Sequence, residues 1–416
     1  MLLQGGTLLI HDEKKNVVPT VSDLLPGFID THCHLWQTQY KGVHANHTLI
    51  GYLPPGKHVA GFCSTDHLFW GQLSGALESI DAGTTTVVDH ASCNTSPDHP
   101  QVAIQALLPA GLRSIYCHMP ARRAISTSSW NLEDDTFSGQ TISDFPAITR
   151  TSPFDKELVH MCFAMDKIYT PAEMLKPYYA SLRDPTKERA KLVTTLAAGW
   201  PMGGNGSTAI KLLNSHGFLA PDILLSTAIF HKMEMARYTN PLERSSRTCQ
   251  TPNSRWVDSL SLCEKITMIR PASEWIVVFG GLPPRRGEVG NLKEGMKADM
   301  IVFDSTSAAL LAAAVEDPVA AIVLHNNSSD IYMVTIDGLI KKEGGRLVDF
   351  VTAPAPNKPK SLIQPGTKLP WKGIAVKLLE SRRALKERTV DVNFAAGADY
   401  SINKFHANRE TMLRSQ

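Results

Sequence analysis

A chain of 416 residues with 43% hydrophobic and 20% charged residues has ample core and exceeds one average domain. Its formal charge of +2 gives no case for nucleic acid or an acidic membrane surface, and no run approaches the roughly 18 apolar residues of a membrane span. Seven cysteines, at 33, 63, 93, 117, 162, 249 and 263, show no CxxC and no regular spacing, which reads as reduced thiols in a cytoplasmic protein rather than a disulfide framework.

Taken in order, "MLLQGGTLLIHDEKKN" has no basic leader or cleavage site, and "LLQGGTLLIH" predicts a hairpin turning at Gly5-Gly6. In "LLPGFIDTHCHLW" a Pro-Gly turn leads into a buried strand. "DHLFWGQLSGALESIDAG" is a helix stopping at Gly83, and "TTTVVDH" is a β-branched strand ending in Asp89 and His90. "PQVAIQALLPAGLRSIYCH" repeats that plan with Gly111 as the stop and His118 at the end. "KERAKLVTTLAAG" and "STAIKLLNSHGFLAPDILLS" repeat it again. Helices alternating with short buried strands predict a parallel sheet, in a (β/α) barrel or an open α/β fold. Beyond Glu288, "GEVGNLKEGMKADMIVFD" and "IYMVTIDGLIKKEGGRLV" suggest a small β-domain. "APAPNKPK" reads as a linker and "KGIAVKLLESRRALKERTV" as an amphipathic helix.

His32 and His34 stand one residue apart at the end of the first strand. Side chains two apart share a strand face, so both imidazoles can reach one point, as a single metal ion needs. An isolated HxH is more often a hydrogen-bonded pair, but the preceding Asp30, the Pro-Gly turn and the upstream β-hairpin favour ligands here. In a barrel, chemistry sits at the strands' C-terminal ends, where His32, His34, His90 and His118 all fall.

Four stretches together, "PGFIDTHCHLWQT", "GTTTVVDH", "LLNSHGFLAPDILLS" and "VGNLKEGMKADMIVFD", resemble the amidohydrolase superfamily, in the branch of cytosine and guanine deaminases and triazine hydrolases. The resemblance covers residues 1 to about 225 and about 288 to 350. It implies an α/β fold: a TIM-type barrel over 26–288, with a small β-sandwich domain built from residues 1–25 and 289–352, followed by a linker and helical tail over 353–416. It also implies one divalent metal ion, zinc or iron, that activates water against a C–N bond of a small, cyclic nitrogen compound. His32 and His34 match the first two metal ligands, and Trp36, Gln37 and His90 become candidate substrate contacts. The implied partner is a small-molecule substrate, with no nucleic acid or membrane; members often pair through barrel faces, which leaves a homo-oligomer open.

Elsewhere the pattern breaks. The family would have a histidine ligand at Leu196, a histidine at Thr227 and an aspartate on the last barrel strand. Between Ser226 and Asp299 the only aspartate is Asp258, in surroundings unlike that motif. Two imidazoles alone make a poor zinc site, since catalytic sites keep three protein ligands. The rest of an eight-fold barrel must fit into residues 227–288, and "RYTNPLERSSRTCQTPNSRW" has neither period, which predicts an incomplete or distorted barrel. One hypothesis for the break is a one-base shift of frame from Ser226. It forces Gly at Met233–Glu234 and Met235–Ala236, and lets Gln250 to Val257 read Pro-Asp-Thr-Glu-Leu-Ala-Met-Gly, similar to a stretch after the family's sixth strand. Two functions follow: a metal-dependent hydrolase or deaminase, or an inactive relative that binds a small molecule or a partner. The catalytic residues are unassigned. His44 and His47 read as loop residues, and Trp36 and the Asp89–His90 pair each carry an equal structural reading.

Overall fold

The computed structural model describes residues 24–119, 158–184, 209–226, 288–352 and 363–405, apart from 45, 46, 48, 167, 169, 221 and 365. It also describes Trp130, Phe145 and several short strands. The first of these are Leu8–His11 (β1) and Val17–Thr20 (β2), an antiparallel pair, followed by Leu24–Pro26 (β3). Gly5-Gly6 lies outside the described residues, and the hairpin observed is the pairing of β1 with β2.

A larger sheet begins with Phe28–Cys33 (β4), Thr84–Ala91 (β5) and Arg113–His118 (β6). A two-residue ladder, Arg123–Ala124 (β7) with Leu132–Glu133 (β8), stands apart from it. The sheet continues with Val159–Ala164 (β9), Val193–Leu196 (β10) and Ile223–Ser226 (β11). From β4 to β11 its six strands are parallel and follow chain order. β5 is buried at every residue, as a parallel strand covered on both faces must be, and its β-branched run suits that place. On β4's other flank the pattern changes: Ile276–Val278 (β13) pairs antiparallel with it, Val277 opposite Asp30, and Thr267–Ile269 (β12) pairs antiparallel with β13.

A TIM barrel needs eight parallel strands closed on themselves. The described strands give six parallel and two antiparallel in an open order, β11-β10-β9-β6-β5-β4-β13-β12. The α/β class and the parallel sheet therefore stand, and the closed barrel is absent from the described strands. Most of residues 227–287, where Thr227, His231, Asp258 and the frame-shift reading fall, lies outside the described residues.

The second sheet draws on both ends of the chain. Met300–Phe303 (β14), Ile331–Ile336 (β15), Leu339–Glu343 (β16) and Arg346–Leu347 (β17) join β3, β1 and β2 in the order β17-β16-β15-β14-β3-β1-β2. Strands from both chain ends thus meet in one sheet, and Phe350–Val351 pairs antiparallel with Lys368–Leu369 in a separate two-stranded ladder. Arg113, on β6, ties the two sheets together: its guanidinium donates to both oxygens of Asp299, at 2.8 and 2.9 Å, with both side chains buried. Among the described residues no helix is long and apolar enough to cross a membrane.

The helix Thr65–Asp81 presses the end of β4 into place. Its N-terminus is capped reciprocally, His67 N donating to Ser64 Oγ and Ser64 N to His67 Nδ1. Gly71 and Gly75 let its backbone approach closely: a Cβ at either would run into the backbone oxygen of Trp36 or Leu35. The turn after His34 is thus clamped between helix and sheet. The helix ends before Gly83 (φ +86), and the helix Asp98–Ala110 before Gly111 (φ +68), both left-handed stops where the sequence placed them. The C-terminal segment contributes the helices Trp371–Arg388 and Phe394–Phe405.

Candidate metal centre

Alternate residues of the parallel strands divide two cores. Val87, Tyr116, Met161 and Phe163 pack against the helices, while Val88, Ile115, Cys117, Cys162 and Ala164 form a cluster on the opposite face. His90 lies two residues beyond Val88 and so shares that second face. There it meets the histidines at the end of β4: ring centres are 5.0 Å apart for His32 and His34, 4.9 Å for His32 and His90, and 5.4 Å for His34 and His90.

Burial sets the charge of two of these rings. Desolvation pushes His34 down to about 3, and neighbouring His90 adds to the effect. His32 is likewise pushed well below its usual value, by burial first and then by His90 and His34. Both are neutral near pH 7. His34 Nδ1 lies 2.6 Å from the carbonyl oxygen of His90. A carbonyl can only accept, so Nδ1 carries the hydrogen and Nε2 keeps its lone pair, the tautomer a metal ligand needs.

His90 faces elsewhere. Its Nε2 lies 3.1 and 3.2 Å from the two oxygens of Asp166, and the Lys57 ammonium reaches the same carboxylate at 3.3 Å. Burial alone would raise Asp166; His90 and Lys57 outweigh it and hold the carboxylate well below its ordinary range. In the neutral ring a carboxylate acceptor requires the hydrogen on Nε2, and Nδ1 is then the lone pair. That atom is buried and has no hydrogen-bond partner among the described residues.

A divalent ion held at about 2.1 Å by three imidazoles would spread their centres roughly 5 Å apart, close to the spacing found. The donors present fit an ion only in part. His32 and His34 are neutral and suitably placed, but His90 turns Nε2 to Asp166. Among the described residues no group of three or more His, Cys, Asp or Glu side chains is placed to hold a metal ion. Leu196 ends β10, opposite Ser226, and β13, reading Ile-Val-Val, supplies no carboxylate beside β4.

The remaining candidates make the following contacts. Trp36 is wholly buried, its indole N–H donating to Ser92 Oγ (3.2 Å) and its ring in a T-shaped pair with Tyr40. Gln37 spends its amide on Tyr52 OH (2.7 Å) and Gly56 O (2.8 Å). Asp89 accepts from Leu35 N (3.3 Å) and from the Gln72 amide; burial pushes it up to about 6. It therefore ties the turn after β4 to the helix behind, while His90 alone of that pair faces the cluster. His118 rests near Phe145 and Phe163, pushed down by burial to about 4. His44 stacks edge-on to Tyr52 within its loop. Asp166 and Lys57 were not read from the sequence. Asp166, two residues past Ala164 at the end of β9, obeys the strand-end rule that found His90. "PPGK" carries no such signal for Lys57.

Residues 24–177 match the model described as Amidohydrolase family. Over this segment the chain is similar to that family. A 5-methylthioadenosine/S-adenosylhomocysteine deaminase of Acetivibrio thermocellus is 23% identical over 425 residues, 83% of this chain and 91% of the relative. Among solved structures, a mutant atrazine chlorohydrolase of Arthrobacter aurescens, complexed with zinc and atraton, aligns with a TM-score of 0.63 at 14% identity, covering 90% of this chain and 98% of that one. An adenosine deaminase of Xanthomonas campestris with bound zinc aligns with a TM-score of 0.61 at 13% identity, covering 88% and 86%. At such identities the likeness shows a shared fold.

Proposed function

We propose that this chain is a metal-dependent hydrolase that releases ammonia from an exocyclic C–N bond of a small nitrogen heterocycle, with adenine nucleosides as the substrate class. The observation that carries the reading is the meeting of His32, His34 and the His90–Asp166 pair where parallel strands end. The substrate class follows from the deaminase relative. One divalent ion, zinc or iron, would be held by His32 and His34, and when bound it supplies water activated near neutral pH.

The chain's own groups would do the rest. Asp166 fixes the tautomer of His90, so that Nδ1 can accept a proton from water or from a ligand N–H, as a general base must. Lys57 keeps Asp166 ionised. The dispersed cysteines, which form no disulfide among the described residues, support a cytoplasmic setting.

A second reading, a relative that binds without turnover, draws on Leu196 and on β13 beside β4. Ammonia release from 5′-methylthioadenosine and adenosine, measured for the wild type and for Asp166→Asn, decides between them. The hydrolase reading expects release that falls by about 10²–10⁴ in the variant. Absent release from well-folded, metal-supplemented protein supports the second.

A further inference from the structure

Lys57 has an unusual support. It ends the wide turn Leu53–Lys57, between the single turns Leu49–Tyr52 and His58–Phe62. Three short turns in succession have little stability of their own. Yet the Lys57 ammonium must stay within 3.3 Å of Asp166 to serve His90.

The C-terminal helices grip this segment at several points. Gly397 lies against it so closely that a Cβ there would meet Pro54 Cβ at 2.8 Å and the Trp130 ring at 2.6 Å. Trp130 is anchored in turn, its indole N–H donating to Asn393 O at 2.7 Å, and its ring lies 6.2 Å from that of His58. Arg388 donates to Phe62 O at 2.9 Å, closing the segment's far end. On the near side Ser381 Oγ donates to Gln39 Oε1 (2.6 Å), while Arg382 donates to Gln39 O (2.8 Å) and Lys41 O (2.7 Å). Gln37, in the same turn after β4, bonds Gly56 O from within. We infer that the C-terminal helix pair is a positioning element of the candidate site, and that its contact at Gly397 sets the turn holding Lys57 on Asp166. The path runs from Gly397 through Pro54 to Lys57, Asp166 and His90. The helices are part of the site's construction.

The test uses the full-length chain and needs no turnover, so its result is independent of whether the protein deaminates anything. Gly397→Leu pushes on Pro54, and Arg388→Ala removes the bond to Phe62; the second carries the test alone if the first does not fold. Amide hydrogen exchange and acetylation of Lys57 by acetic anhydride are followed by mass spectrometry, with Lys342 as the internal control. The inference expects exchange over 49–63 to quicken at least ~10-fold while 84–91 and 113–118 stay as in the wild type. It also expects Lys57 to acetylate severalfold faster, with recovery in Arg388→Lys. Wild-type exchange over 49–63, or equal quickening in 84–91 and 113–118, overturns it, as does an unchanged Lys57 rate.

Discussion

The two flanks of β4 differ in almost every respect. On one side lies the parallel β5, eight residues long and buried throughout, which carries Asp89 and His90 just before its last residue. On the other, β13 runs antiparallel for three residues and carries no polar group. Strand direction matters because only a parallel neighbour brings its C-terminal end, with the backbone turning outward, to the same edge as His32 and His34. The candidate site is therefore one-sided: its groups come from β4, β5 and the end of β9, with Lys57 reaching in from the clamped segment after β4.

That contrast can be broken or sharpened at several points. The largest expected stability effect is at the anchor of β6. Asp299→Ala leaves Arg113 charged and buried without its bidentate partner, and should cost about 3–5 kcal/mol by chemical denaturation. A loss below about 1 kcal/mol would show that the sheets do not depend on this pair.

Acid should act next. A buried histidine whose folded value is depressed contributes stability that is present above its unfolded value near 6.5 and is lost as pH falls towards the folded value. His118, pushed down to about 4, should account for about 3 kcal/mol of loss between those limits. Stability measured from pH 7 to pH 4 should fall, and the slope should flatten in His118→Gln. An identical slope in the variant would assign the loss to other groups.

The smallest effect compares the flanks directly. Val87→Ala, in the fully buried β5, should cost about 2–3 kcal/mol, and Val277→Pro, which removes the backbone donor in the three-residue β13, should cost less. Equal losses would mean that β13 supports β4 as firmly as β5 does.

Much of this arrangement was legible in the sequence. His32, His34 and His90 were found because two residues of spacing on a strand, and polar groups at a strand's end, have fixed geometric meaning. Gly83 and Gly111 were found because a left-handed stop favours glycine. Asp166 obeyed the same strand-end rule but followed a strand, β9, that was not itself read from the sequence. Lys57 had no local signal, since the contacts that place it come from residues more than 300 positions away in the chain, at Arg388 and Gly397. Trp36 and Gln37 were ambiguous in sequence, because packing and ligand contact draw on the same residue types after a strand. The break after Ser226 was visible as a loss of period, and the antiparallel β13 is its counterpart beside β4.

The proposed function requires the one-sided donor set, His32 and His34 with His90 and Asp166 behind them, to bind a metal ion. Elemental analysis of the purified, folded protein beside a His32→Ala/His34→Ala double variant tests it most directly. About one equivalent of zinc or iron in the wild type, absent from the variant, is the predicted result. No bound metal in the wild type, or the same content in both proteins, would contradict it.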